Sequence, residues 1–271
     1  MTFNGLLGGH LGAWLLERLA SPPPPGLLAV LDGVDPGPAL DLEAEFGHDF
    51  RGAVKGKTVL DYGCGYGRGV MTLAGMDVKQ ALGLDIREAV LNAARGLAAD
   101  EHVTDRCRFL NGHDRDALVA WSGRIDVVLS RDAFEHYPDP TAVLEQMWDL
   151  LIPGGSVFVS FGPPWWHPYG CHMMFMGAPP WAHLWFTEQT IMEMRRRYRS
   201  DGATRFEEVE GGLNRMTIAR FEDLVRRSRF VVRDLRLIPI RKTRLLCRNK
   251  IGREFFTSLV KAHLVKPLTY E

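Results

Sequence analysis

One ten-residue segment restricts the fold of this chain more than any other part of its sequence. Val59 to Arg68 reads VLDYGCGYGR, in which an apolar stretch runs directly into three alternating glycines. The apolar stretch predicts a buried strand, and the glycines predict a tight turn that allows positive φ angles and brings a ligand against bare backbone. The segment therefore predicts a strand, a ligand-binding turn and a helix that begins near Arg68.

Strand-like and helix-like stretches alternate after this segment. We predict strands at 58–62, 81–85, 106–110, 125–130 and 156–161, then a strand at 230–238, a helix at 251–260 and a last strand at 262–266. Strands separated by helices predict a parallel, doubly wound sheet of the α/β class. Its ligand crevice is expected beyond the carboxyl ends of the strands, where the glycine turn and other unusual residues fall.

The chain length of 271 residues suits one domain with additions. We predict an N-terminal helix and Pro-rich linker at 1–39, a ligand-binding core at 40–162, an insertion at 163–229 and C-terminal strands at 230–271. The start of the insertion is rich in Trp, His and Pro, which makes it too apolar for a flexible linker and too Pro-rich for a long helix. We interpret the insertion as a lid over the crevice.

Two carboxylates suggest what the glycine turn binds. The spacing G-x-G-x-G differs from the dinucleotide pattern G-x-G-x-x-G, and Asp61 stands two residues before the first glycine. An anion there would repel a phosphate but would attract an ammonium group. Asp85 ends the second predicted strand, where an acidic residue can accept hydrogen bonds from ribose hydroxyls. The simpler alternatives are a turn without a ligand and a helix cap at Asp85.

Four segments in order resemble the motifs of class I S-adenosylmethionine-dependent methyltransferases of the methyltransferase type 11 superfamily. They are VLDYGCGYGR, LGLDIRE at 82–88, IDVVLSRDAFEHYPDP at 125–140 and LLIPGGSVFVS at 150–160. The resemblance covers about residues 55–162. It implies a Rossmann-like seven-stranded sheet whose last strand is antiparallel, with the lid inserted after the fifth strand, and it implies S-adenosylmethionine as the cofactor.

The same resemblance assigns cofactor-binding roles to ten positions. These are Asp61, Gly63, Gly65, Gly67, Asp85, Ile86, His113, Asp114, Ser130 and Arg131. The three glycines would approach the methionine part of the cofactor, and Asp61 would lie near its amino group. Asp85 would bind the ribose and Ile86 would pack on the adenine. Either His113 or Asp114 would hold the adenine amine, and the last two residues would line the pocket.

The insertion gives a looser indication of the acceptor. GPPWWHPYGCH and APPWAHLWF resemble the lid of bacterial methyltransferases encoded with sugar and polysaccharide genes. This likeness implies a small-molecule acceptor, with O-methylation of a sugar or glycosylated metabolite as the first hypothesis. The tryptophans could stack on a sugar or aromatic ring, or they could form a small core of the lid itself. C- or N-methylation of an aromatic or lipid-like acceptor and cofactor binding without catalysis are the alternatives.

A hydroxyl acceptor needs a base, and histidine suits that role at neutral pH. We predict His167 and His172 in the lid as the preferred candidates and His136 in the EHYPDP segment as a third, while His183 is expected to pack. Asp132 could orient one of them. The sequence shows no compact His and Asp cluster with ligand spacing, so we predict no metal site.

Composition excludes several other classes. The formal net charge is zero and SRDAFEH differs from the signature of base-methylating enzymes, so no nucleic-acid partner is expected. None of the four cysteines lies in a CxxC pair, which indicates neither zinc nor disulfides and favours a cytoplasmic location. The apolar stretch at 6–20 is too short to span a bilayer, so no stable membrane insertion is predicted. A homo-oligomer remains open.

Overall fold

A seven-stranded mixed sheet organises the computed structural model, which describes residues 5–22, 40–209 and 211–268. Its strands are β1 Thr58–Tyr62, β2 Gln80–Asp85, β3 Cys107–Asn111, β4 Ile125–Arg131, β5 Leu151–Phe161, β6 Val231–Pro239 and β7 Thr257–Val265. Their order across the sheet is β3-β2-β1-β4-β5-β7-β6. The first five strands run parallel, and β7 is antiparallel to both of its neighbours. The predicted doubly wound sheet with an antiparallel last strand is confirmed.

Helices cover both faces of this sheet. The α-helices in the described residues are α1 Gly9–Leu19, α2 Leu42–Phe46, α3 Phe50–Val54, α4 Arg68–Ala74, α5 Glu88–Asp100, α6 Arg115–Trp121, α7 Pro140–Leu150, α8 Ala182–Trp185, α9 Glu188–Arg195, α10 Ile218–Arg227 and α11 Lys250–Phe256. Neighbouring residues of one strand serve opposite cores, since Val59 packs in one apolar cluster and Leu60 in the other. A strand buried on both faces needs apolar residues at every position, which explains the unbroken apolar stretches of the central strands.

The C-terminal boundary differs from its prediction. The helix predicted at 251–260 ends at Phe256, and the strand predicted at 262–266 begins at Thr257. Residues 257–260 form strand because they pair with β6, from Thr257 opposite Pro239 to Val260 opposite Leu237, and Val260 also pairs with Phe161 of β5. Backbone pairing with β6 outweighs the local helical preference of this segment.

The insertion after β5 has an apolar core of its own. Its buried side chains run from Trp165 to Leu213, and Leu16 of α1 joins them. Leu7 forms a parallel bridge with Phe186, so α1 packs on the insertion rather than on the sheet. The predicted Pro-rich linker lies mostly outside the described residues. None of the helices that the structure describes is long and apolar enough to cross a membrane.

The chain returns to the sheet at α10, which closes one end of the main core. Phe221 of this helix packs edge-on against Phe134, with ring centroids 5.1 Å apart, and lies 5.0 Å from the ring of Phe161. Phe134 follows β4 and Phe161 ends β5, so these aromatic contacts hold the carboxyl ends of two strands against one helix. They also hold in place the segment 130–136, which borders the crevice.

Candidate active site

The glycine turn connects the ends of β1 and β2. Gly63, Gly65 and Gly67 have φ angles of 81°, 51° and 78°, which L side chains rarely adopt. The amides of Gly63 and Cys64 both donate to the carbonyl of Leu84, at 2.7 and 2.9 Å. A Cβ at Gly67 would overlap the ring of Phe109, whereas a Cβ at Gly65 would meet no atom within 4 Å. Gly67 thus lets α4 pack on the sheet, and Gly65 exposes bare backbone.

Asp85 holds this turn in place from the end of β2. It is 6% exposed, and its Oδ2 accepts a hydrogen bond of 3.0 Å from the amide of Gly65. Its Oδ1 accepts from the amide of Arg87 at 3.0 Å and from the Nε of Arg87 at 3.2 Å. Because each carboxylate oxygen can accept about two hydrogen bonds, Oδ2 keeps capacity for a ligand hydroxyl.

Asp61 is a buried carboxylate at the end of β1. It is 4% exposed, and none of the described residues donates a hydrogen bond to its side chain. Burial raises the pKa of Asp61 to about 7, against only partial compensation from the positive charge of Arg131. A carboxylate in this state favours a cation beside it, which fits the ammonium group of the cofactor that the sequence predicts.

A cavity of about 600 Å³ lies beyond these strand ends, and we call it the crevice cavity. Its described lining residues are Tyr62, Gly63, Gly65, Leu84, Asp85, Ile86, Arg87, Asp132, Ala133, His136, Tyr137, Pro138, Val143, Glu207, Gly211 and Gly212. The volume is within the range typical of small-molecule and cofactor sites. Five predicted site residues therefore line it: two glycines of the turn, Asp85, Ile86 and His136.

The six other predicted cofactor residues are not among the described lining residues. Ser130 is fully buried and its Oγ lies 2.9 Å from the Tyr137 hydroxyl. The Nη1 of Arg131 donates to Asp132 at 2.7 Å. His113 is exposed, and Asp114 accepts from the amide of Ala117 and thereby caps α6. Asp61 and Gly67 likewise stand behind the lining, so the adenine-amine assignment to His113 or Asp114 stays a prediction.

His136 and His172 lie side by side. Their ring centroids are 5.5 Å apart and the rings are nearly perpendicular, at 82°. Burial lowers the pKa of both, in His172 to about 4, so both imidazoles are neutral at neutral pH. His136 belongs to the lining of the crevice cavity, which makes it the predicted catalytic histidine with direct access to a ligand there.

His167 and His183 are engaged in packing and hydrogen bonds within the insertion. The Nδ1 of His167 accepts the amide hydrogen of Tyr169 at 3.0 Å, so its lone pair is engaged, and burial lowers the pKa of His167 to about 4. His183 is 2% exposed and contacts Trp165, whose ring also packs on Phe206. Trp165 thus supplies core to the insertion, whereas Trp185 is 61% exposed. The catalytic assignment of His167 stays a prediction.

Neither Tyr137 nor the second half of the insertion was predicted from the sequence to belong to the site. The Tyr137 hydroxyl donates to the carbonyl of Tyr62 at 2.8 Å and thereby joins the segment after β4 to the end of β1. Gly211 and Gly212 close over His136, and a Cβ at Gly212 would lie 3.0 Å from the His136 carbonyl oxygen. Tyr137 stands within the quoted EHYPDP segment, whereas the two glycines carried no motif that would have revealed them.

The sheet order, the glycine turn and the two strand-end carboxylates define a Rossmann-like class I methyltransferase architecture. Comparison with known proteins agrees, since a methyltransferase domain family matches residues 53–162. This chain therefore contains a class I S-adenosylmethionine-dependent methyltransferase domain. Two features of the site fit the cofactor of that class. Asp61 is buried and accepts no hydrogen bond from the described residues, and the backbone at Gly65 is open to a ligand.

Individual relatives share the domain rather than the whole chain. The chain is 37% identical over 111 residues to a ubiquinone biosynthesis O-methyltransferase of Acinetobacter baylyi, a match that spans 40% of this chain and 45% of that protein. This chain thus aligns with less than half the length of that relative.

Solved structures resemble most of the fold at low sequence identity. An S-adenosylmethionine-dependent methyltransferase from Mesorhizobium loti has a TM-score of 0.51 at 15% identity, over 79% of this chain and 92% of its own. A geranyl diphosphate C-methyltransferase from Streptomyces coelicolor, solved with Mg²⁺, geranyl diphosphate and S-adenosyl-L-homocysteine, has a TM-score of 0.53 at 15% identity, over 83% and 77%. At such identities these two structures support the fold alone.

Proposed function

We propose that the chain binds S-adenosylmethionine in the crevice cavity and transfers the methyl group to an oxygen of a small-molecule acceptor. The observation that carries the proposal is that the glycine turn, Asp85 and His136 all line one cavity. The first two come from the ends of β1 and β2, and His136 comes from the segment after β4. The name of the Acinetobacter relative, an O-methyltransferase, supports oxygen as the methylated atom.

The residues of the domain would bind and orient the cofactor. S-adenosylmethionine supplies a methyl group bonded to a positively charged sulfur. Asp61 would place negative charge near the ammonium group, and Asp85 would accept hydrogen bonds from ribose hydroxyls. The backbone at Gly63 and Gly65 would lie against the methionine part. Ile86, which is 54% exposed at the cavity, would cover the adenine.

The acceptor would enter from the side of the insertion. Glu207, Gly211 and Gly212 belong to the insertion and line the crevice cavity together with His136. Glu207 is 60% exposed at its side chain and offers a carboxylate to acceptor hydroxyls. The carboxylate and exposed backbone on this side of the cavity support an acceptor that bears hydroxyl groups. The resemblance of the insertion to the lid of sugar-cluster methyltransferases favours a sugar or glycosylated metabolite. Holding the acceptor oxygen in line with the methyl group contributes up to about 7–11 kcal/mol to lowering the barrier.

Labelled cofactor tests this function directly. The full chain is incubated with methyl-labelled S-adenosylmethionine and separate pools of sugars, glycosylated metabolites, phenols and apolar lipids, and products are identified by mass spectrometry. We expect an O-methyl ether in the sugar or glycosylated pool, and a strong decrease with Asp85→Asn. A C- or N-methylated product would replace the acceptor assignment, whereas calorimetric binding of the cofactor without any labelled product favours a binding protein.

A further inference from the structure

Glu135, His136 and His172 form a cluster next to the crevice cavity. One oxygen of the glutamate and one ring nitrogen of each histidine lie within 4.8 Å of one another. No spacing pattern indicated this cluster, because His172 lies in the insertion, far along the chain from the other two residues. We propose that these three residues bind one divalent transition-metal ion.

Glu135 supplies the strongest indication of a cation. Its side chain is 2% exposed, and its Oε1 accepts a hydrogen bond of 3.0 Å from the amide of Gly162. Its Oε2 is buried and has no hydrogen-bond partner among the described residues. A buried acceptor without a partner costs about 1–3 kcal/mol, and more when it is charged. A cation at Oε2 would remove that cost.

Both histidines hold a neutral tautomer with one nitrogen available. The Nδ1 of His136 lies 2.6 Å from the carbonyl oxygen of Gly212, and the Nε2 of His172 lies 3.3 Å from that of Pro163. A carbonyl oxygen only accepts hydrogen bonds, so each of these nitrogens carries the hydrogen. The other nitrogen of each ring keeps its lone pair. Metal-binding histidines are commonly oriented in this way, by donating the opposite N–H to a backbone carbonyl.

The donor set decides which ions fit. Two imidazole nitrogens and one carboxylate oxygen suit Zn²⁺, Fe²⁺, Co²⁺ or Mn²⁺. Mg²⁺ and Ca²⁺ prefer ligand sets made of oxygen, and the cluster contains no thiolate that would select a soft ion such as Cu⁺. The site is therefore assigned to a borderline divalent transition metal.

The position of the cluster suggests what the ion would do. His136 lines the crevice cavity, so an ion on its free nitrogen would lie at the edge of that cavity. Three protein ligands leave coordination positions open, and an oxygen of the acceptor can take one of them. This role rests on the proposed function: the ion, rather than a histidine, would lower the pKa of the acceptor hydroxyl, whose proton would pass to solvent water before the oxygen takes the methyl group. Metal binding itself does not depend on methyl transfer.

Titration of the full chain with Co²⁺ and Zn²⁺, without cofactor, tests the site. After treatment with a chelator, we expect one Co²⁺ ion per chain, a visible absorption spectrum of protein-bound Co²⁺, and its loss when Zn²⁺ displaces the ion. Calorimetry with Zn²⁺ should give the same stoichiometry. The absence of saturable, stoichiometric binding of both ions at micromolar concentration would overturn the proposal.

Three conservative variants identify the ligands. Glu135→Gln keeps an oxygen for the Gly162 amide, His136→Asn keeps a donor for Gly212, and His172→Gln keeps a donor for Pro163. Each removes one proposed ligand atom, so each should weaken Co²⁺ binding at least tenfold. Glu135→Gln should do so without lowering the thermal midpoint of the metal-free protein, because it replaces a buried carboxylate whose Oε2 has no hydrogen-bond partner among the described residues.

His183→Gln is the matched control. His183 also has its Nε2 next to a backbone carbonyl, that of Trp165 at 2.7 Å, and its Nδ1 is also buried without a partner in the described chain. It does not belong to the cluster, so its variant should bind Co²⁺ as the unchanged protein does. Wild-type affinity in both His172→Gln and Glu135→Gln would refute the assignment, as would an equal loss in His183→Gln.

Discussion

The Cα of Gly69 faces the side chain of Asp61 so closely that a Cβ at residue 69 would overlap the carboxylate oxygen Oδ2. Gly69 lies in the first turn of α4, directly after the glycine turn. The helix therefore packs on the buried carboxylate and leaves space for no side chain. This contact connects the cofactor-binding end of β1 to the packing of the helix that follows it.

Gly69→Ala should destabilise the protein and weaken cofactor binding. The added methyl group forces Asp61 or the helix to move, and such overpacking typically lowers the free energy of unfolding by about 1–3 kcal/mol. Gly96→Ala in α5 is the control, since a Cβ there meets no atom within 4 Å and should raise stability by roughly 0.5–1 kcal/mol. Urea unfolding measures both. Equal effects of the two substitutions would contradict the contact.

Asp61 should make stability fall as pH rises towards neutrality. Its pKa is 3.8 when exposed and about 7 in the fold, so between these values the folded chain holds a proton that the unfolded chain has released. The free energy of unfolding should therefore decrease by up to about 1.4 kcal/mol per pH unit across this window. Urea unfolding from pH 4.5 to 7 measures the slope. Asp61→Asn should remove this contribution, and an unchanged slope in that variant would assign the effect to other groups.

Asp85 should recognise the ribose in addition to holding the glycine turn. Asp85→Asn should weaken S-adenosylhomocysteine at least tenfold, since hydrogen bonds to a charged group contribute about 1.5–3 kcal/mol. A 2′,3′-dideoxy analogue lacks the hydroxyls and should lose less affinity in the same variant. Calorimetry with both ligands separates the two roles. If both lose affinity equally, Asp85 acts only through the Gly65 and Arg87 amides.

Tyr137 and Ser130 should act as a pair. The Tyr137 hydroxyl donates to the Tyr62 carbonyl, so Ser130 must donate to Tyr137. Tyr137→Phe should lower the free energy of unfolding by about 1–3 kcal/mol, because it leaves buried polar groups without partners. Combined with Ser130→Ala, its effect should fall short of the sum of the single effects by at least about 0.5 kcal/mol. Additive effects in a double-mutant cycle would show that the pair does not act together.

Local sequence determined the central part of this protein. The stretch from Val59 to Tyr62 is apolar at almost every position, as a strand between two cores must be, and the next glycines allow the positive φ angles of the turn. Asp61 and Asp85 follow from the rule that parallel strands end at one edge of the sheet. These features depend on residues that are close together in the sequence. The sheet, the glycine turn and the carboxylates at the strand ends could therefore be predicted from the sequence.

Tertiary structure decided what depends on distant contacts. Thr257 to Val260 extend β7 because they pair with the distant strand β6, and the helix predicted there was wrong for that reason. Gly211 and Gly212 border the crevice cavity only because the insertion folds back over His136.

Distant contacts also decide which of the candidate histidines has a nitrogen available for chemistry. Sequence patterns favoured His167 and His172 over His136 as the base. Folding instead engages the lone pair of His167 with the amide of Tyr169 and brings His172 to His136 and Glu135. Residue spacing along the chain predicts contacts within one helix or strand. The distance between the loop after β4 and a loop of the insertion is instead set by the packing of every element between them. The sequence by itself therefore determined the methyltransferase domain, and only the fold determined which side chains meet beside its cavity.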